Sequence, residues 1–556
     1  MTLWPSQFGI SGPFTIGAGV VTTAPSVIAR LAIEVSQLGF ITTKTLSLLP
    51  REGYREPIVH EYYPGCFINA VGLTNPGASV FAQEIAPHLP LHNNKPLLVS
   101  IMGESPSEFV ACAKVLDPVA TAFELNLSCP HVRGAGQSIA SDPEAVKTII
   151  KLMKQTFAKP LIAKLSPNLG DIRTSAELCE YAGADGLSLI NTVGPGLVLD
   201  DDGLPILSNE IGGISGIGIL PLGLKAVRAV SRAVKLPLIA SGGIASPRDV
   251  RAYQQAGATF FSVGSALAGK NTKEIRAFFD YLALGANSSW DPRGSDLVSE
   301  RIAPRTAYLK TTVVKNTRVG EDIFVLDLDC SVECRPGSFF FLRIPGVGEK
   351  PFSPMSSHPQ RYLIRAVGPF TRTCGQLRQG QDIFLRGPYG NGFPDPPLPR
   401  PLVLIAGGTG AAPLIMAANM WHKQVGRMLI GFSKSIDSHF KNELERVATR
   451  VRIIVDAPGD VGAILSQLAQ DIRAENVLYR NCVAHLCGPK PMVGAAVALL
   501  LDVVPRDRIF VAREDIVRCG IGLCGSCATQ TGLRSCVDGP VFPIEYDEAR
   551  KCPPPL

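Results

Sequence analysis

Residues 122–130 read AFELNLSCP, an apolar run that stops at the polar pair Asn126 and Ser128 and closes on Cys129-Pro130. Runs of this length, bounded by turn-forming residues, read as buried strands. The same pattern recurs on either side: LLVSIMG (97–103) before it, then PLIAKLSP (160–167), GLSLINTV (186–193), LPLIASGG (236–243) and TFFSVGSA (259–266). Amphipathic stretches with helical spacing lie between, such as PEAVKTIIKLMKQTF (143–157) and PLGLKAVRAVSRAV (221–234). Strand–helix alternation over this length predicts an α/β fold, a (β/α)8 TIM barrel over residues 1–285. A doubly wound open sheet is the competing architecture. The polar residues that interrupt the runs, Lys44, Asn126, Cys129, Lys164 and Asn191, all fall at the C-terminal ends, where such barrels carry their active sites.

The remaining chain changes character. Of 556 residues, 46% are hydrophobic and 18% charged, so several core-bearing domains are expected rather than a disordered chain. The net charge of +6 is small and no dense Lys/Arg run is present, which gives no reason to expect nucleic acid. The longest apolar stretch, Pro401 to Met420, contains Gly407-Gly408-Thr409-Gly410 and reads as strand, glycine turn and helix, not as a membrane span. The start MTLWPSQFGI lacks the charged head and apolar core of a secretory signal, and 14 scattered cysteines suit a reducing cytoplasm better than a disulfide framework.

Residues 286–304 are polar and rich in Gly, Ser and Pro, as in a linker. KTTVVKNTRVGEDIFVLDLDC (310–330) and RPGSFFFLRIP (335–345) then read as antiparallel strands of a small β-barrel over 305–399. Strand–helix alternation returns over 400–507, a segment at 508–545 carries clustered cysteines, and 546–556 is a tail. The cysteines are Cys519, Cys524 and Cys527, with Cys536 after eight intervening residues. C-x4-C-x2-C…C is the thiolate spacing of a plant-type [2Fe–2S] cluster, and Gly520, Gly522 and Gly525 permit the turns that wrap it. A structural zinc site is the alternative, although its usual pattern is two C-x2-C pairs.

Together, the strand ends describe a site. Asn69, Asn126 and Asn191 offer both donors and acceptors, which suits a planar cyclic amide. Lys44 and Lys164 supply positive charge for a carboxylate and a reduced flavin. Gly212-Gly213-Ile214-Ser215-Gly216, Ser241-Gly242-Gly243 and Gly264-Ser265 come late in the barrel, where βα loops commonly bind phosphate. Singly, each has a plainer explanation as a turn residue or a buried thiol. Their joint occurrence in barrel order does not.

These residues resemble the class 1 dihydroorotate dehydrogenases over nearly all of 1–270. That resemblance implies oxidation of dihydroorotate to orotate in pyrimidine synthesis. It implies FMN held by Lys44, Thr45, Asn126, Lys164, Ile190, Gly216, Gly242, Gly243, Gly264 and Ser265. It places the substrate on Lys44, Asn69, Ala70, Val71, Gly72, Leu73, Asn126, Asn191 and Thr192. Cys129 matches the base that takes the C5 proton while hydride leaves C6, and a thiolate in a covered, positive site is competent for that. Residues 130–138 would form a mobile lid. One departure is His131, where the family usually has Asn; a similar Cys-Pro-His occurs in dihydropyrimidine dehydrogenases. The resemblance also implies a homodimer through the barrel.

Residues 305–545 resemble the electron-transfer subunit of the class 1B enzymes, a relative of the ferredoxin reductases, here fused behind the barrel. By that resemblance FAD meets Lys350, Pro351, Phe352 and Ser353, then Leu363, Ile364 and Arg365, then Phe370 and Thr371. Lys350 stands where the family has Arg, and Phe370 where it has Gly. LVLIAGGTGAAPL (402–414) with Gly407, Gly408 and Gly410, followed by Cys487-Gly488-Pro489, matches the nicotinamide-nucleotide pattern. Cys519, Cys524, Cys527 and Cys536 would ligate the cluster. The implied electron order is substrate, FMN, [2Fe–2S], FAD, NAD+, because flavins exchange two electrons or one and the cluster only one. NAD+ against NADP+ stays open. Two other functions remain: reduction of uracil-type bases by NAD(P)H, and a noncatalytic electron conduit.

Overall fold

The computed structural model describes residues 9–127, 142–168, 170–286, 305–448, 450–456 and 462–544. Most of the expected linker and the tail lie outside them. The chain forms two compact units: Met1–Ala307 with Arg518–Leu533, and Tyr308–Val517 with Arg534–Leu556.

In the first unit eight parallel strands form one sheet. In chain order they are Phe14–Ile16, Ile41–Thr42, Leu97–Ile101, Ala122–Asn126, Leu161–Leu165, Gly186–Leu189, Leu238–Ser241 and Phe260–Val263. Each pairs with its sequence neighbour, the first pairs with the last, and a Phe14–Leu38 bridge with a 2.9 Å Gly39 N–H to Phe14 O bond closes the ring. This is the expected barrel, and the open-sheet alternative falls. Phe40, Leu98, Ala122, Ile162, Ile239 and Phe260 fill its interior as one apolar layer.

The outer helices follow their sequence periodicity. Pro143–Thr156 buries Val146, Ile149, Ile150 and Met153, the i, i+3, i+4, i+7 stripe of a helix lying on a sheet. Asp142 caps it by accepting from the Glu144 and Ala145 amides. Pro247–Ala256 opens with a Ser246/Asp249 capping box and ends at Gly257 in the left-handed region.

A second, four-stranded antiparallel sheet was not expected. Val59–Tyr63 and Cys66–Asn69 form a hairpin that continues into Ile211–Gly216 and Val193–Leu197. The glycine stretch 212–216, read from sequence as a phosphate loop, is therefore mostly strand. Its glycines serve close approach: a Cβ on Gly212 would stand 2.5 Å from Asn69 O, and one on Gly213 2.3 Å from Thr192 Oγ1.

The second unit holds a seven-stranded antiparallel sheet over residues 309–389, wrapped round a core that includes Val313, Leu326, Phe340, Tyr362 and Leu385. Its other sheet has five parallel strands and one antiparallel edge, in the order Val451–Val455, Val425–Phe432, Leu402–Gly407, Val483–Cys487, Ile509–Ala512, Val541–Pro543. Among the described residues no helix is long and apolar enough to cross a membrane.

His485 is wholly buried in this parallel sheet. It stacks on Phe393 at 4.5 Å and meets the edges of Trp421 and Phe510. Burial drives its pKa from 6.5 down to about 3, so the fold holds it neutral. The unfolded chain protonates near pH 6.5; the contribution to stability is full above that pH and drains away as pH falls toward 3. His485→Phe should therefore lose about 2 kcal/mol less stability than the parent between roughly pH 7 and pH 5, read as thermal midpoints.

Candidate active site and cysteine loop

The barrel strands deliver their polar residues to one place. Asn126 is the last residue of its strand and is in register with Lys164 on the next; Asn191 follows the strand Gly186–Leu189. A single cavity of about 1170 Å3 is lined by every described residue that the sequence assigned to substrate or FMN: Lys44, Thr45, Asn69 to Leu73, Asn126, Lys164, Ile190 to Thr192, Gly216, Gly242, Gly243, Gly264 and Ser265. Ligand pockets run to about 300–1,000 Å3, so this one has room for a flat cofactor and a substrate together. Cys129, His131 and the 130–138 lid lie outside the described residues.

At the far end, Gly242 and Gly243 follow the strand Leu238–Ser241, with φ of +117° and +76°. A Cβ on Gly243 would stand 2.9 Å from the Leu220 amide nitrogen, so only glycine lets the backbone pass. Gly264 leads into the turn Ser265–Leu267. These half-buried late βα loops line the cavity, and backbone amides in such loops are the chemistry that a phosphate requires. The glycines and the two lysines together fit FMN.

Lys44 is buried, and burial lowers its pKa to about 8, with Arg518 and Lys164 pushing the same way and Cys524 opposing them. It remains mostly protonated at neutral pH, a desolvated cation facing a cavity. Lys164 stands 3.9 Å from the buried carboxylate of Glu124. Sequence reading passed over Glu124, although a carboxylate inside the apolar run 122–127 was a visible signal. It also passed over Arg51, Tyr54, Lys270 and Arg305, which line the same cavity.

The substrate loop 69–73 grows from the antiparallel hairpin. Asn69 Nδ2 donates to Gly213 O at 3.1 Å, and Asn75 Nδ2 donates to Leu73 O at 2.8 Å and to Ser47 Oγ at 2.9 Å. The loop is thereby tied at both ends.

Cys519, Leu523 and Cys524 line this cavity too. Residues 508–545 were expected as one separate segment; instead 518–533 belong to the barrel unit. Backbone and hydroxyl groups explain why. Val21 N–H donates to Leu523 O at 2.7 Å, Gly269 N–H to Ile521 O at 2.8 Å, Thr23 Oγ1 to Cys524 O at 2.8 Å and Ser26 Oγ to Thr529 O at 2.8 Å. Gly525 lies so near the barrel that a Cβ would stand 2.7 Å from Thr23 Cβ. Arg518, beside the first cysteine, donates to Glu56 Oε1 at 2.5 Å, to Thr74 Oγ1 at 2.9 Å and to the Tyr54 carbonyl.

The three cysteines of this loop converge. The Cys524 amide donates to Cys519 Sγ at 3.5 Å. Hydrogen bonding to Cys519, burial, and the nearby charges of Cys519 and Cys527 push the Cys524 thiol far up. Thiolates so crowded call for bound cations. Among the described residues no three such side chains are gathered for a single metal ion. A two-iron cluster, whose ligands divide between two irons, does not require that. Cys536 is buried in the second unit.

In the second unit the residues expected at FAD divide. Lys350, Pro351 and Phe352 lie on the edge strand Gly348–Phe352, with Ser353 just beyond. The Phe352 ring stacks on Phe370 at 6.2 Å, and Phe370 is buried in the apolar core. Thr371 Oγ1 accepts from the Val367 and Gly368 amides, capping the helix Pro369–Cys374. Leu363 and Ile364 are buried, but Arg365 reaches out, donating to Ser433 Oγ at 3.3 Å with its Nη2 beside Gly408. Gly407–Gly410 ends the strand Leu402–Gly407, whose neighbours run to opposite sides of the sheet, and so occupies its topological switch point. A Cβ on Gly410 would stand 2.7 Å from both Cys487 O and Gly488 N, so the two nucleotide motifs meet there.

A family model described as "Dihydroorotate dehydrogenase" matches residues 2–282, and one described as "Iron-sulfur cluster binding domain of dihydroorotate dehydrogenase B" matches residues 514–546. The second settles the choice against zinc. The dihydroorotate dehydrogenase B (NAD(+)) catalytic subunit of Pyrococcus horikoshii is 42% identical over 262 residues, 47% of this chain and 84% of that protein. Its counterpart from Pyrococcus furiosus is 38% identical over 304 residues, 54% of this chain and 98% of that protein.

Arg518→Ala should strand a buried Glu56 carboxylate and loosen the cysteine loop by roughly 3 kcal/mol. Iron and acid-labile sulfide per chain should fall after gel filtration. Arg518→Lys, which keeps the charge without the planar fork, should fall between Ala and the parent.

Proposed function

Because the chain belongs to the dihydroorotate dehydrogenase family, we propose that it oxidises (S)-dihydroorotate to orotate and passes the electrons to NAD+ within one polypeptide. The observation that carries this reading is a single cavity lined both by Lys44, Asn126 and Asn191 and by Cys519, Leu523 and Cys524. A bound FMN would accept the substrate's hydride there, the cluster would carry electrons singly, and FAD would reunite them for the nicotinamide.

Each group of residues then has a task. Lys44 and Lys164 offer a dry positive field for the substrate carboxylate and for negative charge on the flavin ring. Low dielectric strengthens that attraction, and Lys44 gains most because desolvation has left its ammonium poorly solvated. Two lysines favour dihydroorotate over a uracil-type base, which has no carboxylate for them. Asn69, Asn126 and Asn191 orient the ring through its amide groups, with Ala70 to Leu73 and Thr192 completing the walls. Thr45, Ile190, Gly216, Gly242, Gly243, Gly264 and Ser265 hold FMN. Cys129, as thiolate, takes the C5 proton.

Cys519, Cys524, Cys527 and Cys536 hold the [2Fe–2S] cluster. Lys350 to Ser353, Leu363, Ile364 and Arg365 would hold FAD, with the Arg365 guanidinium suited to a pyrophosphate. Phe370 and Thr371 act through packing and capping rather than direct contact. NAD+ binds at the Gly407–Gly410 turn, where an open α/β sheet offers its crevice. Domain limits near 305 and 400 are in keeping with these assignments, whereas the segment expected to begin at 508 divides at Arg518 and Leu533. A homodimer through the barrel is supported by Leu197, Leu199, Leu204 and Ile211, exposed apolar residues on and beside adjacent strands.

Anaerobic addition of dihydroorotate should bleach the flavin absorbance, and NAD+ should then restore it. No bleaching with dihydroorotate but turnover with uracil would reverse the substrate assignment. Cys524→Ser should spare bleaching by substrate and abolish NAD+ reduction. Cys129→Ala should slow bleaching by about 100-fold or more; an unchanged rate would point to a mere electron conduit.

A further inference from the structure

A carboxylate beneath the cavity floor has no place in the scheme above. Glu124 is 3% exposed and points into the barrel two residues before Asn126, hence from the same face of its strand. It is in register with Ser100 on the neighbouring strand. Ser100 Oγ donates to Glu124 Oε1 at 2.9 Å. Ser100 Oγ and Thr45 Oγ1 are 3.0 Å apart. Asn126 Nδ2 donates to Thr45 Oγ1 at 3.2 Å, Asn191 Nδ2 to Asn126 Oδ1 at 3.4 Å, and the Thr192 amide to Asn191 Oδ1 at 2.8 Å.

The order of this chain is fixed at both ends: the Thr192 amide can only donate to Asn191 Oδ1, and at the other end stands a carboxylate. An ionised carboxylate accepts and cannot donate. Ser100 must therefore spend its only hydroxyl proton on Glu124, which leaves its oxygen as an acceptor for Thr45. Thr45 in turn spends its proton on Ser100 and can only accept from Asn126. The Asn126 amide is then turned with Nδ2 toward Thr45 and Oδ1 toward Asn191, and Asn191 is turned by the same rule. The Lys164 ammonium stands 3.9 Å from the same carboxylate oxygen.

We propose that Glu124 is a positioning residue which, through Ser100 and Thr45, fixes the orientation of the Asn126 and Asn191 amides and so selects a ring with the dihydroorotate arrangement of amide groups. It rests on the dihydroorotate reading above. Carbonyls and N–H groups alternate around such a ring, so a reversed amide sets donor against donor. Glu124 touches no substrate. It acts from the Thr45 side, with the Thr192 amide holding the Asn191 side, to remove the freedom of two amides to flip.

Two links can be cut independently of Lys164. Ser100→Ala and Thr45→Val interrupt the chain, while Glu124→Gln keeps the shape but ends it in a group that can donate or accept. Orotate binding, dihydroorotate kinetics, FMN per chain and thermal midpoint would be measured for each. Orotate Kd and dihydroorotate KM should rise roughly tenfold or more in Glu124→Gln and Ser100→Ala, with kcat falling less and FMN content retained. Orotate binding at parental strength in Ser100→Ala overturns the proposal, as does loss of FMN or thermal stability confined to Glu124→Gln, which would mean that Glu124 serves only Lys164. If Ser100→Ala fails to fold, parental binding in Thr45→Val overturns it equally. A parent enzyme that neither binds orotate nor oxidises dihydroorotate would bring down the functional reading itself, and this proposal with it.

Discussion

Lys44 is a buried ammonium whose pKa has fallen to about 8, and the mouth of the barrel is organised round the cost of burying cations there. Arg518 is matched by Glu56, Arg305 by Glu61 and Lys164 by Glu124, each across an ion pair. Lys44 differs: the influence that favours its charge is negative charge on the Cys524 sulfur. A desolvated cation with so little compensation is a standing demand for anions. A substrate carboxylate, a reduced flavin ring and a thiolate-ligated cluster are all anionic, and each would answer that demand. Burial costs that would be waste in a structural core become binding strength and selectivity here.

That demand explains which features were legible in the sequence. Barrel strands announce themselves because an apolar run with a polar terminus has few other uses, and Lys44, Asn126, Lys164 and Asn191 follow from that alone. Glu124 was legible in principle, since an acid amid Phe123 and Leu125 has to be accounted for. The antiparallel sheet was not, because Gly212–Gly216 looks the same as a phosphate loop or as a strand packed tightly against its neighbours. Only the partner at 66–69, some 145 residues away, decides between them. Arg518 gave no local sign at all: its partners Glu56 and Thr74 lie more than 400 residues earlier.

The second unit shows the same distinction in reverse. Its glycine motif was read as a phosphate cradle, and the geometry gives those glycines a second duty, since Gly407 and Gly410 allow the Cys487–Gly488 turn to close against them. The two duties agree, because a crevice at a switch point needs both loops near each other. The strand that carries Lys350 is held from beneath by a buried pair: Arg386 donates to both Glu349 oxygens at 2.6 and 2.8 Å, and Tyr308 donates to the same carboxylate at 2.7 Å. No motif marks that pair. It fixes the backbone beside Lys350 as the Asn75 bonds fix the substrate loop.

The docking of 518–533 on the barrel gives the fused chain a physical meaning. The Pyrococcus relatives named as catalytic subunits correspond to about half of this polypeptide. A cysteine loop arriving from another chain must find the barrel by diffusion and pays for lost translational freedom on binding. Arriving on the same chain, it sees the barrel at an effective concentration set by the connecting polypeptide. The contacts that hold it here include five hydrogen bonds between the loop and residues 21–30 and 269, the Arg518 fork, and the buried side chains of Ile521, Leu523 and Leu533. Within one chain that concentration does not depend on how much protein is present, so the cysteines stay beside the cavity at any dilution.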